Sequence, residues 1–149
     1  MKRAGIVAAV CGAVALAACG GGDGGDRLTR DELVSQADAI CGEYERKLDA
    51  LGEPQSIQEV EALADDAKPI VQEGVDKLAA LEPPEDLEDD YDRWIELNRE
   101  SITVIDNLKE AAASGDEARV QQVVEEAQST ENEADAIAGQ IGLDECAQD

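Results

Sequence analysis

Four successive segments of the chain carry apolar residues at alternating steps of four and three, and each is bounded by residues suited to helix ends. That spacing gathers the apolar side chains on one face of an α-helix. No stretch shows the period-two alternation or the tight-turn signals of a hairpin. The first segment opens at Thr29-Arg30-Asp31-Glu32, a capping-box pattern in which the Thr hydroxyl and Glu carboxylate satisfy otherwise orphaned N–H groups. Its stripe runs Leu33, Ala37, Ile40, Tyr44, Leu48 and Leu51, with Cys41 at the border, and Gly52 and Pro54 end it. Ser56-Ile57-Gln58-Glu59 repeats the box ahead of Val60, Ala64, Ala67, Val71, Gly74, Leu78 and Leu81. Pro69 falls inside that run, where it lacks an N–H and clashes one turn back. The second segment is therefore expected as a kinked helix, or as two shorter helices meeting near Lys68-Pro69.

Pro83-Pro84 forms a stiff corner, with Pro84 near the first turn of a third helix. Leu87, Tyr91, Trp94, Ile95, Asn98, Ile102, Ile105, Leu108 and Ala112 mark its buried side. Asn98 either finds a buried partner or sits at the stripe's exposed edge. Ser114-Gly115-Asp116 makes the next turn, with Asp116 as N-cap. Val120, Val124, Ala127, Ala134, Ile137, Ala138 and Ile141 follow, and Gly142 is a left-handed C-cap. Residues 128–133 lack large apolar side chains, so the core should be thinnest there. The pattern predicts an all-α, up-down four-helix bundle. The start of the first helix then lies beside the end of the fourth, which brings Cys146 within reach of Cys41.

The segment before this domain has another character. Lys2 and Arg3 precede an uncharged run, residues 4–18, that is shorter than the roughly 20 residues of a membrane span. It fits the apolar region of an export signal. Leu16-Ala17-Ala18-Cys19 resembles the lipobox of bacterial lipoproteins. The resemblance implies cleavage after residue 18 and a thioether-linked diacylglycerol on Cys19; an ordinary secretory signal with Cys19 incidental is the alternative. Gly20-Gly21-Gly22-Asp23-Gly24-Gly25-Asp26 has no apolar residue and reads as a flexible tether with a reach of about 25 Å. Residues 1–18 are thus expected as signal, 19–26 as lipidated cysteine and tether, and 27–149 as the helical domain. The expected address is the extracytoplasmic face of the bacterial cytoplasmic membrane.

Charge narrows the partners. The chain holds 36 acidic against 12 basic residues, a net charge of −24, and losing Lys2 and Arg3 deepens it to −26. Nucleic acid is excluded as a partner, because its binding needs Lys and Arg to replace counterions. Direct docking on anionic lipid is disfavoured over the roughly 8 Å screening length of physiological salt.

Of the four cysteines, Cys11 lies in the signal and Cys19 is the lipidation site. Cys41 and Cys146 remain, an even pair expected to form a disulfide in an oxidising compartment. A zinc site would need two further N or S ligands, and the chain has no His.

Gln36-Ala37-Asp38-Ala39-Ile40-Cys41, Leu81-Glu82-Pro83-Pro84 and Ile141-Gly142-Leu143-Asp144-Glu145-Cys146 together resemble a loose group of small exported actinobacterial proteins, many of them lipoproteins. The resemblance implies a helical domain with Cys41 bridged to Cys146 and supplies no activity.

The missing His removes the commonest general base, and with it Ser-His-Asp and Cys-His mechanisms. No phosphate-binding loop is present. The chain is not expected to be an enzyme and no cofactor is implied. The densest acidic run supplies Glu85, Asp86, Glu88, Asp89, Asp90 and Asp92 as a candidate site for a hard cation. The favoured reading of the same acids is a helix's first turn stabilised by the macrodipole, with no metal site expected. Tyr44, Tyr91 and Trp94 are read as core, with a ligand groove as the alternative. The functional expectation is a lipid-anchored, non-enzymatic interaction module for an envelope protein; the alternative is an acidic cation- or small-ligand-binding protein.

Overall fold

A computed structural model describes residues 27–147; the expected signal, lipidation site Cys19 and expected tether lie outside the described residues. These form four helices, α1 (Arg30–Asp49), α2 (Ile57–Ala79), α3 (Glu88–Ser114) and α4 (Glu117–Ile141), with a 3₁₀ turn, Glu85–Leu87, leading into α3. No strand occurs among the described residues.

The helix ends follow local chemistry. Thr29 caps α1 with both halves of the capping box formed: its hydroxyl accepts from Glu32 N–H while the Glu32 carboxylate accepts from Thr29 N–H at 2.9 Å. At α2 the Ser56 hydroxyl accepts from Glu59 N–H, but the Glu59 carboxylate reaches one residue further back, to Gln55 N–H at 2.6 Å. Asp116 accepts from Arg119 N–H at 3.0 Å, and α4 stops at Gly142 with φ +96°. Pro84 does not open α3 directly; it precedes the 3₁₀ turn, and α3 begins four residues later.

Pro69 does not split α2, which is one assigned helix from Ile57 to Ala79. Pro69 is exposed, so the Asp65 carbonyl that loses its partner one turn back lies on the face reached by water.

Helix α3 lies between α2 and α4, and α1 packs on α2. That position makes α3 bury more than one stripe. Leu97, outside the expected stripe, is 2% exposed. On α4 the expected register is off by one: Val123 is buried, whereas Val124 is 42% exposed. Both fit steps of three and four from Val120, and packing against α3 selects Val123.

The densest core gathers at one end, where Leu33, Tyr91, Trp94, Ile95, Ile141 and Leu143 are buried together. Tyr91 and Trp94 hold their rings 5.4 Å apart at 47°. At the other end the buried residues are Ala64, Ala111, Ala112 and Val123. Larger side chains there, such as Val60, Ile105 and Leu108, are only half-buried.

Tyr91 gives a pH handle on the dense end. Its hydroxyl donates to Leu78 O at 2.9 Å, and burial raises its pKa well above the ordinary tyrosine value. A folded pKa above the unfolded one, about 10, contributes stability that is fully present below that pH and is lost as pH rises towards the folded value. Tyr91→Phe should cost about 0.5–1.5 kcal/mol at neutral pH through the lost hydrogen bond. The deficit should shrink above about pH 10, where the parent's fold alone loses stability because Tyr91 ionises in its unfolded state. Urea melts of both chains across that range check it, and a constant difference would refute it.

Candidate functional site

The disulfide is the first feature the fold brings together. Cys41, in the middle of α1, is bonded to Cys146 on the tail beyond α4, with Cα atoms 5.2 Å apart. Gly142 turns the chain, Leu143 is fully buried, and Glu145 N–H donates to the Asp38 carboxylate at 3.1 Å. Burial raises the pKa of Asp38 despite that bond, with the nearby negative charges of Asp144 and Glu145 adding to the effect. Arg30 Nη1 donates to Ile141 O at 3.0 Å. Helices α1 and α4 are therefore joined at this end, yet they do not pack along each other.

An open trough of about 390 Å³ lies beside α1 and α2, with the tail across one end. Ile40, Tyr44 and Leu48 of α1 face Val71, Gly74 and Val75 of α2, and Asn98 of α3 also contributes. Cys41 and Cys146 line it as well, together with Glu45, Asp49 and Glu145. Such a volume falls within the range of ligand pockets, about 300–1,000 Å³. A smaller recess of about 100 Å³ lies between α3 and α4, lined by Leu97, Ser101, Val104, Ala127 and Thr130. It sits where α4 lacks large apolar residues. Asn98 borders both spaces, and its amide donates to Trp94 O at 2.8 Å, within its own helix. Neither a cross-helix bond nor full exposure describes it.

Tyr44 joins the trough to the α1–α2 packing. It is 5% exposed, and Gly74 lets the α2 backbone lie close against its ring: a Cβ there would meet Tyr44 Cγ at 3.0 Å. The ammonium groups of Lys47 and Lys77 lie 3.9 and 4.9 Å from the ring centroid, within cation–π range. The Tyr44 hydroxyl is buried without a hydrogen bond of good geometry among the described residues, and the charges of Lys47, Lys77 and Glu73 surround it. Sequence reasoning placed Tyr44 on the buried stripe, and the structure puts it both in packing and on the wall of a groove. Tyr91 and Trp94 are core residues.

The acidic candidates are distributed differently. Glu85 and Asp86 belong to the 3₁₀ turn, and Glu88, Asp89 and Asp90 to the first turn of α3. Glu88 pairs with Arg27, whose other guanidinium nitrogen donates to Pro83 O at 3.0 Å. Among the described residues no three Asp, Glu, Cys or His side chains converge in a way that could hold a metal ion. These acids lie on the 3₁₀ turn and the first turn of α3, where the helix macrodipole stabilises negative charge. Sequence reasoning offered a groove at Tyr44 only as the alternative to core packing, and could not place its other walls, which are ordinary stripe residues of α1 and α2. No helix of the described residues is long and apolar enough to cross a membrane. Comparison with models of protein families, with curated proteins and with solved structures finds no match to the chain.

Proposed function

We propose that the chain is an exported lipoprotein of the loose actinobacterial group it resembles, anchored through Cys19 at the extracytoplasmic face of the membrane. Its helical domain is a non-enzymatic interaction module for another envelope protein. The observation that carries this reading is the uncovered apolar trough in a domain whose adjoining end is tied down by a disulfide. The trough offers binding surface, and the chain brings no His to run acid–base chemistry beside it.

We further propose that the helices run up and down in chain order. Side-chain pairs support this: Asp65 with Lys109 and Lys68 with Asp106 link α2 to α3, and Arg93 with Glu133 links α3 to α4. In the first two, ascending positions on α2 meet descending positions on α3. A bend at Pro69 is part of the same proposal, resting on the missing N–H. Arg27, the first described residue, is held against Pro83 and Glu88 at the dense end. The acidic start of α3 then faces an anionic membrane and stands the domain off it.

Cell fractionation of a Cys19→Ser chain tests the anchor. The parent should sediment with membranes and the variant should be released. A variant that stays membrane-bound would sink the lipoprotein reading.

A further inference from the structure

We propose that the trough beside α1 and α2 docks a cationic amphipathic helix of a partner protein. This deepens, and rests on, the reading of the domain as an interaction module. The trough needs an occupant with an apolar face, because half-buried Ile40, Leu48 and Val71 form its walls. It needs one with positive charge, because Glu45, Asp49 and Glu145 border those walls. The two lysines beside it are engaged: Lys47 pairs with Glu43, and Lys77 pairs with Glu43 and Glu73.

The charge also removes the other occupants. A second processed copy brings another −26 and is repelled. Anionic lipid is repelled likewise. The tether, residues 20–26, has no apolar side chain with which to fill the space. What remains is apolar on one side and basic on the other.

Length sets how the occupant sits. The α1 positions lining the trough run from Ile40 to Asp49, about 14 Å at 1.5 Å per residue. That spans between two and three turns of a docked helix, read as anchors at i, i+3 or i+4, and i+7. Asn98 leads into the smaller recess, where Val104 and Ala127 offer a place for one further small anchor.

The test titrates the full exported chain, held in nanodiscs of neutral phosphatidylcholine, with labelled peptides of roughly 18 residues, five helical turns. One peptide is Lys/Leu with its Leu residues at helical spacing, one is the same composition scrambled, and one is a Glu/Leu peptide of the first pattern. Empty nanodiscs supply the background. The patterned cationic peptide should bind saturably, one per chain, at least about tenfold more tightly than either other peptide, since like-charge juxtaposition and a broken apolar face each penalise binding. Leu48→Lys should weaken it by about tenfold, whereas Val124→Lys, the same charge change on an exposed site of α4, should leave it within about twofold. Glu45→Gln with Asp49→Asn, both at exposed positions where folding is not at stake, should weaken binding and flatten its salt dependence. Equal binding of the scrambled peptide, equal loss in both Lys variants, or tighter binding of the Glu/Leu peptide would each overturn the proposal. Concentration-dependent self-association that masks the trough would overturn it in favour of a second copy. Capture in nanodiscs already reports the Cys19 anchor, so failure of the peptide titration on captured chain removes the docked helix and leaves the anchor standing.

Discussion

Replacing Cys146 with Ser, or reducing the disulfide with a dithiol, should lower the stability of the folded chain by about 2–5 kcal/mol. The bond spans 105 residues, nearly the whole described chain, so breaking it returns the largest available loop to the unfolded ensemble. The chain-entropy relation puts the upper end for such a loop at about 4.7 kcal/mol. The native state loses a tether as well, because α1 and α4 are joined at this end and do not pack along their lengths. Contacts that survive set the lower end: Leu143 stays apolar and seated, and Arg30 still reaches Ile141 O. For a domain of this size the loss corresponds to a fall in thermal midpoint of roughly 10–20 °C. Thermal melts of the parent with and without reductant, and of the Ser variant, measure it. A fall below about 1 kcal/mol would mean that the tail is held by its apolar contacts and that the disulfide is incidental.

Much of this arrangement was legible in local chemistry. Thr29 with Glu32, Asp116 and Gly142 announce helix ends because each satisfies backbone groups within a few residues, and the structure uses all of them as caps. The Cys41–Cys146 pairing followed from counting cysteines once Cys11 and Cys19 had other assignments. What failed was whatever depends on the neighbour. Val123 and Val124 both fit the helical spacing, and the choice between them is made by the surface of α3. Leu97 is buried because α3 has a partner on two sides, which a one-face stripe cannot register. Pro69 allowed either a kink or a split, and α2 runs unsplit because a proline on an exposed face leaves its orphaned carbonyl to water and costs less than one facing a core.

The candidate site divides along the same line. Acidic residues at 85–92 are dense in sequence, yet a helix start fans successive side chains round its axis and does not converge them on one point. For the trough the sequence offered only Tyr44 as an alternative groove residue, because its walls are ordinary stripe residues. It lies where α1 meets α2, a contact sparser than that of α3 with either neighbour, and that spacing is a property of the whole packing. A chain with few aromatics and many Ala residues fills one end densely and leaves apolar surface uncovered further along.

Trp94→Ala should therefore be far more damaging than a comparable truncation at the opposite end. Trp94 is 2% exposed, packs against Tyr91, and belongs to the cluster that includes Leu33 and Ile141. Removing it takes away the largest side chain of that cluster and leaves a cavity its rigid neighbours cannot close, a loss of about 3–5 kcal/mol. Leu108→Ala, on the same helix but among half-buried residues beside Ala111 and Ala112, should cost only about 1–2 kcal/mol, because part of the side chain already meets water. Denaturant melts of the two variants give the comparison. Amide exchange adds a spatial readout: backbone groups near residue 108 should open at lower free energy than those near residue 94, since local stability tracks the density of buried apolar contacts. Equal costs and equal protection would show a core uniformly packed along α3, and the argument that the uncovered trough follows from uneven filling would fall with them.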